Sequence, residues 1–100
     1  MKFFMVDNAG NSTPCEVPDD YRMDELFCDI NGIGEDVPDV EVHRLMAESD
    51  DALSSENGKY IRFADHANSS TTLSQLGINE NARYQLTQNT RDNMVNGGHI

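Results

Sequence analysis

Paired carboxylates are the most frequent feature of this chain that could do chemistry, at Asp19-Asp20, Glu35-Asp36 and Asp50-Asp51. Two acids side by side can bind calcium or divide acid and base roles. A calcium loop, however, alternates its ligands around a central glycine, and an acid/base pair needs a buried cleft that raises one pKa. None of the pairs follows the first pattern, and nothing in the sequence marks the second. Together with Asp24 and Glu25 they read as caps, solvated loops or a docking face made of Asp19, Asp20, Asp24, Glu25, Glu35, Asp36, Asp50 and Asp51. The histidines His43, His66 and His99 are far apart, and Asp65-His66 lacks the closer set of Cys and His ligands that zinc requires, so no metal or other cofactor is expected. Cys28 has Asp24 and Asp29 as neighbours, anions that disfavour a thiolate, and Cys15 between Pro14 and Glu16 gains nothing either. "NGIGEDVP" has neither the preceding strand nor the spacing of a phosphate-binding loop. With no triad in view, the chain is not expected to be an enzyme or to take a small-molecule substrate. The remaining candidate is the glycine pair Gly97-Gly98 near the carboxyl end.

Charge narrows the partners. Of a formal net charge of -11, the stretch from Cys15 to Glu56 holds fourteen acids against Arg22 and Arg44. Such a surface repels phosphates and anionic membranes and attracts basic proteins, so direct nucleic-acid or membrane binding is not expected. No apolar run approaches the roughly 18 residues that span a bilayer, and "MKFFMV" gives way to "DNAG" too soon for a secretory signal. A soluble, cytoplasmic protein is the expectation, with both cysteines free. One hundred residues suffice for one domain with a modest core, and 37% apolar residues at a mean hydropathy of -0.62 are enough for folding.

Several elements could position these residues. "KFFMV" reads as a strand and "DNAGN" as its turn; the following strand carries Pro14, which lacks the N–H a central position needs, and belongs on a sheet edge. Met23, Leu26, Phe27 and Ile30 fall on one stripe of a helix, with Asp20 as its cap and Gly32 or Gly34 as its stop. "VEVHRLM" alternates as a third strand with His43 on its outer side, "AESDDALSSENG" reads as turn, and "KYIRFAD" as a fourth strand with Ile61 and Phe63 on one side. Thr72 caps a single turn of helix that plugs Leu73, Leu76 and Ile78 inward before a last strand bearing Ala82, Tyr84 and Leu86. No periodicity follows Asn89.

This order, with "TLSQLGINENARYQL" and "VPDDYRMDELFCDI", resembles the ubiquitin-like family. The resemblance implies an α+β β-grasp fold: a mixed four- to five-stranded sheet packed on one main α-helix over residues 1–89, with a flexible tail at 90–100. The helix stripe would pack on Phe3 or Phe4, Tyr84 and Leu86. Members of that family are activated at a terminal Gly-Gly, where the absence of side chains lets the chain thread narrow enzyme channels. By that resemblance Gly98 is the activated residue, Gly97 its threading partner, and His99-Ile100 a propeptide, with an activating enzyme and a processing protease as partners. The chain departs from the pattern in a leader whose single base is Arg91 and in Thr87, which stands where the family's reader patch is apolar. Two functions are therefore expected: a modifier precursor conjugated through Gly98, or a non-covalent interaction module or inhibitor whose acidic face occupies a basic groove on a protein partner.

Overall fold

The computed structural model describes residues 1–67 and 70–88. It is a small α+β fold with a mixed five-stranded sheet and two helices. Strands β1 (Lys2–Val6) and β2 (Ser12–Glu16) form an antiparallel hairpin. The Asp7 carboxylate closes its turn by accepting the backbone N–H groups of Ala9 and Asn11, and Gly10 takes the positive φ that the turn requires. Helix α1 (Met23–Asn31) and helix α2 (Asp39–Ala47) follow. Then come β3 (Ala52–Ser55), β4 (Tyr60–Arg62), a short 3₁₀ helix at Phe63–His66, and β5 (Arg83–Thr87).

The sheet order is β2-β1-β5-β3-β4. The last strand enters the middle of the sheet, parallel to β1 and antiparallel to β3. Pro14 lies on edge strand β2, where its missing N–H costs no ladder bond.

Strand register decides which residues meet the helices. Phe3, Tyr84, Leu53 and Ile61 are buried on the inner face, while Tyr60 and Arg62 are exposed. Phe3, and not the half-buried Phe4, faces the core. Onto this face α1 lays Met23, Leu26 and Phe27, with Ile30 partly buried at the edge. Phe27 and Phe63 pack as a tilted aromatic pair with centroids 5.7 Å apart. Leu73 and Ile78 complete the core from the segment before β5, with Leu76 at its margin. That segment opens with reciprocal bonds: Gln75 N–H donates to Thr72 Oγ1, and Thr72 N–H to the Gln75 side-chain oxygen. It is tied to the start of α1 by Met23 N–H to Thr71 O and Leu73 N–H to Tyr21 O.

Three expectations about local structure are corrected. The segment 40–46, read as a third strand, lies within helix α2. Val42, Leu45 and Met46 recur at helical spacing and face inward, Val40 is 77% exposed, and Arg44 pairs with Glu41 and Glu48, neighbours only on a helix. The single main helix thus becomes two. The segment read as turn contains β3, whose Ala-Leu-Ser-Ser is held by pairing on both sides. Helix α1 begins at Met23 with Arg22 at its cap position, so Asp20 lies before the cap; Glu25 reaches back to accept the Arg22 backbone N–H at 3.2 Å. Its end is as expected, with Gly32 in the left-handed region at φ 67°.

A helix at 39–47 separates Val40 from Val42, which a strand would place on one face. Val42→Ala should cost about 1.5–3 kcal/mol of stability and Val40→Ala less than about 0.5 kcal/mol, measured by urea unfolding. Equal costs would contradict the helix.

Candidate functional site

Between α1, the loop 32–38 and the first turn of α2 lies an open cleft of about 340 Å³. Its apolar wall is Ile33, Val37 and Val42, and its acids are Asp24, Glu25, Asp29, Glu35 and Asp39. The spacing explains the convergence: Glu25 and Asp29 are one turn apart on α1, and Asp39 opens α2, where an acid complements the positive end of the helix dipole.

These acids are not equivalent. Asp24 is only 7% exposed. Its Oδ1 accepts a hydrogen bond from Arg22 Nε at 2.9 Å, and its Oδ2 lies 3.2 Å from His43 Nε2 on α2. Burial alone would raise its pKa, but the Arg22 and His43 hydrogen bonds and the Arg22 charge outweigh it and hold the carboxyl below its ordinary value. Asp29 accepts the Tyr21 hydroxyl. Burial, then that hydrogen bond and the Asp29 charge, push the phenol far above its ordinary value, so Tyr21 stays a donor. Glu35 and Asp39 are exposed on the rim, as is Glu25, whose Oε1 lies 3.8 Å from Arg22 Nε.

Cys28 lines the same cleft. Burial raises its pKa, and the fields of Asp24, Asp29, Asp39 and Glu25 raise it further. The Asp24 carboxylate is hydrogen-bonded to His43, and no side-chain hydrogen bond joins Cys28 to His43 among the described residues. The arrangement therefore holds a protonated thiol beside acids, the reverse of what activates a cysteine nucleophile. Cys15 is likewise raised by burial, and both cysteines are free.

The structure brings together three of the predicted docking acids, Asp24, Glu25 and Glu35, and adds Asp29 and Asp39. Asp19, Asp20, Asp36 and Asp50 are exposed but do not line the cleft. Asp24 and Asp51 are corrected as open docking residues because both are buried. Asp51 Oδ2 accepts from Asn31 Nδ2 at 3.3 Å and its backbone oxygen from Phe63 N–H, which joins α1, β3 and the 3₁₀ helix. His43, expected on the outside of a strand, is half-buried on α2. Gly97 and Gly98 lie outside the described residues. Among the described residues, no group of three or more His, Cys, Asp or Glu side chains is arranged to hold a metal ion, and no helix is long and apolar enough to cross a membrane. No family model matches the chain, and no curated protein matches it in sequence.

The depressed Asp24 value fixes a sign. A carboxyl whose folded pKa lies below its unfolded value of 3.8 contributes stability that is complete above that value and is lost as pH falls through the folded one. Asp24→Asn should therefore cost about 1–3 kcal/mol at neutral pH, and that cost should shrink as the pH is taken progressively below 3.8. Urea unfolding over that pH range checks this; a difference that grows toward acid would contradict it.

Proposed function

We propose that the chain is a non-catalytic, ubiquitin-like β-grasp interaction domain that docks a basic segment of a protein partner in the cleft between α1 and α2. The observation that carries this reading is the composition of the cleft, with apolar Ile33, Val37 and Val42 beneath an acidic rim. Lysine and arginine side chains match that pairing, since their aliphatic stems cover apolar surface while the cationic head stays at the wet rim. The exposed Glu35 and Asp39 are free to meet such a head, whereas Asp24 already has Arg22 and His43.

Support for the family comparison comes from the strand order β2-β1-β5-β3-β4 with its parallel central pair, and from α1 following the first hairpin. Helix α2 stands between α1 and β3, where the hairpin, helix, strand, strand order has no second helix. It supplies one wall of the cleft, so the added element and the docking surface coincide.

A fluorescent peptide of alternating lysine and leucine tests the reading by anisotropy. Binding is expected to weaken about tenfold or more between about 50 and 500 mM salt. The double variant Glu35→Lys with Asp39→Lys should lose it, while Asp50→Lys, an exposed acid outside the cleft, should retain it. Equal losses in both variants would reduce the effect to net charge and overturn the cleft.

The same strand order favours a second reading, a modifier precursor attached through Gly98 after removal of His99-Ile100. Incubation with cell extract and ATP should then give a species lacking His99-Ile100 and joined to other proteins through Gly98, lost in the Gly97→Ala with Gly98→Ala variant. Unchanged mass in the wild-type chain would exclude it.

A further inference from the structure

Helix α2 sits on the molecule through Val42 and Met46, which reach α1 and the 3₁₀ helix. Among the described residues, one side-chain hydrogen bond joins α2 to α1, and it is the bond between His43 and Asp24. Arg44, the other basic residue of α2, is occupied by Glu41 and Glu48 on its own surface. The cleft wall contributed by α2 is thus fastened to the opposite wall through a group that changes charge near neutral pH as a residue type.

We infer that the Asp24–His43 contact is a proton-operated clip that regulates the docking cleft. With neutral imidazole the contact is an ordinary hydrogen bond, and Arg22 with Asp24 sums to zero. Proton uptake by His43 makes it an ion pair, with N–H donating to Asp24 Oδ2 and a positive charge added behind the rim. Two consequences follow from one proton: α2 is held more firmly against α1, and a basic segment in the cleft is disfavoured. Release of the partner in mildly acidic surroundings is the resulting regulation, and this rests on the docking reading above.

The surrounding charges support that direction. On the α1 side Asp24 faces His43, with Arg22 and Glu25 beyond it and Cys28 protonated one turn along. On α2 itself Asp39 lies one turn before His43. From the 3₁₀ helix packed on α2, Asp65 and His66 are the titratable groups. Carboxylates therefore predominate around the imidazole, and burial keeps the Asp24 contact less screened by salt than the rim acids.

The test uses the full chain in two arms between pH 8 and 5.5. Binding of the lysine-leucine peptide should weaken about 2- to 4-fold on acidification, as one unit charge roughly 5–10 Å away gives across an open, water-filled cleft of dielectric about 80. Hydrogen exchange of the α2 amides without peptide, corrected for intrinsic rates, should show rising protection over the same interval. His43→Gln, whose amide can still donate to Asp24 but does not titrate, should flatten both curves, and His66→Gln should leave both intact. Protection of α2 that is flat with pH in the wild type, or pH dependence that survives in His43→Gln, overturns the clip. If the peptide binds at neither pH the docking reading fails, and the exchange arm alone decides the clip.

Discussion

Met23, Leu26 and Phe27 remove one side of a nine-residue helix from water, and the remaining layers are arranged around that burial. The sheet supplies Phe3, Leu53, Ile61 and Tyr84 beneath it, and Phe63 meets Phe27 where the sheet gives way to the 3₁₀ helix. Each large side chain so buried contributes on the order of 1.5–3 kcal/mol before the entropy of ordering the chain is subtracted. A domain of this size has one such core and little surplus. Helix α2 extends it by Val42 and Met46, fewer buried apolar side chains than the three that α1 contributes.

That smaller apolar contact gives weight to the polar Arg22–Asp24–His43 cluster beside it. A carboxylate removed from water is costly unless its oxygens are occupied, and here each oxygen has a partner from a different place in the chain. Arg22 comes from the cap position of α1 and His43 from the middle of α2. Breaking either contact leaves a buried charge with half its compensation. The cluster borders the cleft, which both Arg22 and Asp24 line.

Where sequence and structure agree, the signal was local. The stripe of α1, the glycine that ends it, the edge position of Pro14 and the inward Leu73 and Ile78 are each legible from a spacing or a backbone restriction. The failures were tertiary. In "VEVHRLMA" the alternation of Val40 and Val42 with polar neighbours fits a strand, while Val42, Leu45 and Met46 fit a helix, and only packing against α1 and Phe63 decides between them. Strand β3 carries two serines and a single large apolar residue, and it exists because β4 and β5 pair with it on either side. The candidate site was half legible for the same reason. Glu25 and Glu35 could be named from charge, but Asp24 and Asp51 were counted as open because burial of an acid is invisible until its partners are placed. Asp29 was within reach, one turn from Glu25, but Asp39 joins it only once the second helix is known.

The two populations of acid answer differently to their surroundings, and that difference separates folding from recognition. Asp24 and Asp51 are buried and hydrogen-bonded, so added salt changes their interactions little, whereas Glu35, Asp36 and Asp39 are exposed and screened beyond about 8–10 Å at physiological ionic strength. With a net charge of -11 the chain repels itself, and salt relieves that strain while weakening the pull of the rim on the basic partner proposed above. Rising ionic strength thus favours the folded state and, on the proposed reading, opposes docking at the same time. On the proposed docking reading, a single charge placed on the rim retunes affinity without touching the core, while a charge removed from Asp24 takes away the one side-chain hydrogen bond between α1 and α2 among the described residues.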